Sequence, residues 1–237
     1  MKYLLVFLLS ITGCTSMTKV TYLKKGVKSF YMDGVEYIFS KKSNSEVILK
    51  AKHHIRSNEK RVYLWVNVKN LSNEIQTIDL KNITILRKSK RDKLYVNSYD
   101  DLIKEVNKSK RNYMILAILG GVAQGMSSGR SYHSGSVRSS SGNSYSYSGS
   151  SYNSNLAKIE NREYARNVGS NMRYYDNQKR NYKETILKKN TLFPNKEVSG
   201  WIAVDWPGLE TEKDFFIILI KFAGDQHKFY LKQFNEA

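Results

Sequence analysis

Apolar residues alternate with polar ones over residues 35–87 of this chain and again within 191–237, and a stretch written in that period has to become half-buried β-strands. In EVILKAKHHI, Val47, Leu49, Ala51, His53 and Ile55 fall on one face; in RVYLWVNVKN, Val62, Leu64, Val66 and Val68 do the same. Asn70, Ser72 and Asn73 interrupt the pattern as a turn before IQTIDL, and Ile83 and Ile85 resume it in KNITIL. After a turn at Phe193-Pro194-Asn195, Val198, Gly200, Ile202 and Val204 alternate, and DFFIILIKF and HKFYLKQF supply two closing strands. Residues 215–220 are apolar on both faces, which predicts a central strand covered on both sides.

Between the blocks, residues 98–190 change character. Ser98 precedes Asp100 and Asp101, an N-cap followed by acids that suit the positive end of a helix dipole. Leu102, Val106, Tyr113, Leu116 and Gly120 then trace a helical stripe, predicting a helix over about 99–126. Residues 114–126 carry no charge, yet thirteen residues rise only about 20 Å, short of a hydrocarbon core of about 30 Å. This run reads as packed on the strands, the alternative being insertion into a bilayer. Half of residues 127–154 are Ser, with Gly and Tyr among the rest and no acid, which predicts a disordered loop. Tyr164, Val168, Met172, Tyr175, Tyr182 and Ile186 mark one face of a returning helix over about 156–186. The fold class expected is mainly β with a helical insertion: an Ig-like β-sandwich of about seven to eight strands, split between 30–97 and 191–237 by a two-helix hairpin.

The chain holds a single Cys, at position 14, so disulfides and Cys-based zinc sites are excluded. It follows Lys2, an apolar run over residues 3–9 and the small-residue exit Thr12-Gly13, the layout of a signal peptide occupying residues 1–13. Ile11-Thr12-Gly13-Cys14 resembles the lipobox of bacterial lipoproteins. The resemblance implies that Cys14 takes a diacylglycerol on its thiol, is acylated on its freed amine and begins the mature chain. Thr15, in place of the Asp that retains such proteins in the inner membrane, implies the outer membrane of a Gram-negative cell. Residues 14–29, polar and basic, read as a membrane-proximal tether. Residues 62–79 and 192–201 resemble Ig-like modules of uncharacterised bacterial envelope lipoproteins, a likeness that carries fold and compartment but no activity.

A net charge of +18 favours an acidic partner. Lys in an Asn-, Tyr- and Ile-rich chain supplies much of it. Expected partners are the membrane, through the N-terminal lipid, and an envelope protein or anionic surface; export argues against nucleic acid.

No catalytic, cofactor or metal site is expected. His53 and His54, as strand neighbours, point to opposite faces; His133 and His227 lie away from ligand-spaced carboxylates. No nucleophile elbow, phosphate-binding Gly loop or zinc-protease motif occurs. Trp65, Trp201 and Trp206 suit core or interface positions, with Trp206-Pro207-Gly208 a candidate exposed turn. These features together predict a non-catalytic, membrane-anchored binding or structural module, the alternative being a membrane-active or assembly component whose apolar helix inserts or oligomerises.

Overall fold

The computed structural model describes residues 17–23, 25–51, 54–56, 60–138, 144–207 and 213–235. The leader, Cys14 and His53 lie outside the described residues. In chain order the elements are β1 (Met17–Leu23), β2 (Lys28–Met32), β3 (Val35–Lys41), β4 (Ser45–Ala51), β5 (His54–Arg56), β6 (Arg61–Asn70), β7 (Gln76–Ile78), β8 (Ile83–Arg87), β9 (Asp92–Leu94), β10 (Val96–Asn97), the helix α1 (Tyr99–Ser127), β11 (Arg130–Arg138), β12 (Ser144–Tyr152), the helix α2 (Ser154–Thr185), β13 (Asn190–Leu192), β14 (Glu197–Asp205), β15 (Lys213–Phe222) and β16 (Asp225–Asn235). The chain divides into two compact units, Met1–Tyr99 with Thr185–Ala237, and Asp100–Glu184.

The first unit is antiparallel β-structure. One six-stranded sheet runs β5-β1-β16-β15-β8-β9, a second runs β10-β14-β6-β4-β3-β2, and β13 pairs with β7. That exceeds the seven to eight strands expected, for two reasons. β5, β7, β9, β10 and β13 are two or three residues long, too short to display a period. β1, moreover, lies within the segment read as a tether. Its Thr18, Val20 and Tyr22 are buried and it pairs with β16 from Thr18↔Asn235 to Leu23↔Tyr230, an alternation masked in the sequence by a polar Thr18 on the inward face and an apolar Leu23 on the outward one.

The inward faces of the two large sheets share one core. Val20, Ile85, Phe216, Ile218, Phe229 and Leu231 come from the first, and Ile38, Leu49, Leu64, Val66 and Ile202 from the second. β15 departs from its expected double coverage: Phe216, Ile218 and Ile220 are buried, while Phe215, Ile217 and Leu219 are only half-buried. Trp206 takes the core position expected of it, and not the exposed turn that was its alternative. It is 5% exposed, its ring centroid 4.2 Å from that of Phe216, and its indole N–H donates to Gln233 Oε1 at 2.9 Å.

Two polar positions fix the turns around this core. Asn70, fully buried at the end of β6, donates from its amide to the Glu74 and Leu192 carbonyls and accepts from the Ser72 N–H and hydroxyl. The predicted turn is thus held by one satisfied side chain. Gly200 permits the chain returning from α2 to lie against β14: a Cβ there would sit 2.7 Å from Leu187 N and 2.8 Å from its Cα. Leu187 N–H donates to the Trp201 carbonyl at 2.8 Å, and Ile186 bridges to Trp201.

In the second unit, the helices stand where their periodicity put them. The segment expected to be a disordered loop instead pairs β11 with β12, from Arg130↔Tyr152 to Arg138↔Ser144, with 139–143 outside the described residues. A two-stranded ribbon satisfies backbone N–H and C=O groups without a buried face, and Tyr favours extended backbone. Composition alone does not register the ladder open to such a segment.

Candidate functional site

Every third or fourth residue of α1 along one side is committed to α2. Lys110 Nζ donates to Asp176 Oδ1 at 2.6 Å, Asn171 Nδ2 donates to the Tyr113 hydroxyl at 2.8 Å, and the Tyr164 hydroxyl donates to the Ala117 carbonyl. Rings of Tyr113 and Tyr175 lie 6.1 Å apart. Gly120 and Gly121 make room for Tyr164: a Cβ at 120 would stand 2.7 Å from its hydroxyl, and one at 121 would stand 3.3 Å from its ring. At the ribbon end, the Ser128 hydroxyl donates to Asn161 Oδ1 at 3.0 Å and the Gly129 N–H donates to Glu160 Oε2 at 2.8 Å. These contacts descend one helix as they climb the other, so the pair is an antiparallel hairpin.

The side of α1 turned away from α2 has a different character over residues 114–119. Expected to be buried, residues 114–119 are mostly exposed: Met114 is 45% exposed, Ile115 51%, Leu116 67%, Ile118 64% and Leu119 62%. Apolar surface of that extent on one helix is the kind that marks an interaction site. Among the described residues no helix is long and apolar enough to cross a membrane. The outer side of α2 is basic, with Arg162, Arg166 and Arg173 lining a shallow groove of about 530 Å³ over Ala165 and Gly169.

In the first unit, Ser45 meets Asp225 and His227 across 180 and 182 positions, with no signal of the meeting in the sequence. Ser45 Oγ lies 2.7 Å from Asp225 Oδ2, to which it donates, and 2.8 Å from His227 Nε2. The carboxylate is thus bonded to the serine and not to the imidazole Nδ1. A nucleophilic triad needs the carboxylate on Nδ1, with Nε2 accepting from the serine. Ser45 and His227 are also fully buried. The trio therefore fastens the start of β4 to the β15–β16 turn, where the Asn44 N–H donates to Asp225 Oδ2 at 2.9 Å as well.

Burial holds the His227 imidazole below its usual value, helped by Lys42 and opposed by Asp225. A depressed histidine costs stability as the unfolded chain protonates first, so the contribution is lost as pH falls below about 6.5. Melting temperature should therefore drop between about pH 7.5 and about pH 5.5. The drop should be smaller in His227→Gln, and equal slopes would show that another group sets the dependence.

Arg87 and Asp214, 3% and 1% exposed, form a buried ion pair through Arg87 Nε and Asp214 Oδ2. The Ser89 hydroxyl at 2.8 Å and the Phe215 N–H at 2.7 Å complete the carboxylate's bonds. Burial pushes the carboxyl up, and the bonds from Arg87, Ser89 and Phe215 outweigh it and hold it below the usual range. Trp65 and Trp201 pair directly on the outward face of the second sheet. Tyr37 meets Trp65 edge-on at 5.9 Å, Phe30 stacks on Tyr37 at 5.3 Å, and Lys50 Nζ lies over Tyr37 and Trp201 at 5.4 and 5.9 Å. Their rings are used on one another as a cross-strand row.

Among the described residues no group of three or more His, Cys, Asp or Glu could hold a metal ion. Comparison of the chain with protein-family models, with characterised proteins and with solved structures found no match.

Proposed function

We propose that this chain is a lipid-anchored bacterial envelope protein, a non-catalytic module whose β-unit is a scaffold and whose helical hairpin contacts another envelope component. The exposed aliphatic run at 114–119, on the side of α1 that α2 leaves uncovered, is the observation that carries the reading. The lipobox-like Ile11-Thr12-Gly13-Cys14 supports the anchor, and Thr15 supports the outer membrane. A non-catalytic role is supported by the arrangement at Ser45, where the carboxylate of Asp225 bonds the serine itself and not the imidazole Nδ1 that a triad requires.

The scaffold is read as an Ig-like β-sandwich with added edge strands. The order β4-β6-β14-β10 corresponds to A-B-E-D of an immunoglobulin domain, and β16-β15-β8-β9 to G-F-C-C′, in the same chain order. In that correspondence the hairpin is inserted between strands D and E, and β1, β2, β3 and β5 widen the sheets.

Metabolic palmitate labelling tests the anchor. The wild-type chain should incorporate label and partition into detergent, and Cys14→Ser should do neither, since acyl chains dominate membrane affinity. Label retained by the variant would remove Cys14 from the scheme.

A further inference from the structure

The uncovered side of α1 has a second component besides its aliphatic run. Residues 104, 108, 111, 115 and 118 follow the 4-3-4-3 spacing of one helical stripe, and 119 adjoins it, over a length of about 22 Å. In this chain those positions are Lys104, Lys108, Arg111, Ile115, Ile118 and Leu119, and all six are exposed. The three cations make no ion pair among the described residues. A single unpartnered stripe is thus cationic in its first half and aliphatic in its second.

We propose that this stripe docks α1 on the surface of a bilayer rich in anionic phospholipid. The proposal rests on the reading of the hairpin as a contact surface, but not on the anchor at Cys14. Charge complementarity selects the occupant: phosphate headgroups meet Lys104, Lys108 and Arg111, while acyl chains take Ile115, Ile118 and Leu119. A second copy of the chain fits less well, because the acids on this side of α1, Asp100 and Asp101, are confined to its first turn and are outnumbered by the three cations. A protein partner fits less well too, since the aliphatic half lacks the aromatic anchors that carry protein interfaces.

The geometry of the unit also sets how α1 would lie. The ribbon β11–β12 follows α1 directly and is built mostly of Ser, Gly, Tyr and Arg, and its two strands leave open edges, so it does not enter hydrocarbon. α1 therefore lies along the interface, with its stripe down, and does not plunge into the bilayer end-on.

The test uses residues 15–237, which retain every described element and lack both the leader and Cys14. This chain should float with vesicles of phosphatidylethanolamine and phosphatidylglycerol, and bind phosphatidylcholine vesicles roughly tenfold more weakly or less. Lys104→Gln, Lys108→Gln and Arg111→Gln together should erase the difference between the two vesicles. Ile115→Glu with Leu119→Glu should abolish flotation on both. All five side chains are exposed, so melting temperatures should not move, and that measurement guards against unfolding. Equal binding to both vesicles, or binding indifferent to both sets of substitutions, overturns the proposal. So does an absence of flotation with a sedimenting dimer that Ile115→Glu and Leu119→Glu dissolve, which assigns the stripe to a second copy. Palmitate labelling is read separately, so failure of the anchor and failure of the stripe are distinct results.

Discussion

Arg87→Met should destabilise the β-unit by about 3–5 kcal/mol, because it leaves the Asp214 carboxylate buried without its partner. The loss is larger than that of a surface pair, which contributes about 0–1 kcal/mol. The Ser89 hydroxyl and Phe215 N–H remain as donors, but neither carries a full positive charge. Denaturation by urea at neutral pH measures the effect as a lower midpoint. Adding Asp214→Leu to Arg87→Met should recover much of the loss, since an apolar pair of similar volume removes the stranded charge. The carboxyl is held below its usual 3.8, so the pair's contribution is present above that pH and is lost as pH falls through the lowered value. The gap between wild type and Arg87→Met should accordingly narrow in acid. If Arg87→Met unfolds at the wild-type midpoint, the pair contributes nothing to stability.

Phe216→Ala should cost a similar 3–5 kcal/mol, roughly, for a different reason. Phe216 is 1% exposed, sits in the middle of β15 between β8 and β16, and supports the Trp206 ring. Removing it opens a cavity under Trp206, whose indole is held by Gln233 and cannot collapse freely into the space. Phe215→Ala, one residue away on the half-buried face, should cost clearly less. Comparable losses at the two positions would mean that the outer face of β15 is covered as fully as the inner.

Whatever depended on local repetition was legible in the sequence. The long strands β4, β6, β14, β15 and β16 each bury one face against a common core, and a period of two follows from that alone. α1 and α2 occupy Tyr99–Ser127 and Ser154–Thr185, close to the 99–126 and 156–186 that their apolar spacing predicted. What escaped has no period. Arg87 and Asp214 occupy inward positions on strands where the pattern calls for apolar residues, and their pairing spans 127 positions. Ser45 and His227 are 182 apart and resemble ordinary strand-end polar residues. The exposure of Ile115, Ile118 and Leu119 could not be read either, because an uncharged run looks the same whether its own chain covers it or not.

Both ends of the helical insertion are fastened to one edge of one strand. Asn97 pairs with Ala203 as the chain leaves, and Ile186 bridges to Trp201 as it returns, so exit and return lie two residues apart along β14. Lys188 Nζ, 4.4 Å above the Tyr99 ring, clasps the same two ends together. A short turn could join those points, and the sheet would keep its hydrogen bonds and its core without anything between them. In evolutionary terms the β-unit is a socket: the hairpin can lengthen, change charge or be exchanged whole while the scaffold's own sequence stays as it is. Selection on what the hairpin touches is thereby separated from selection on what keeps the protein folded.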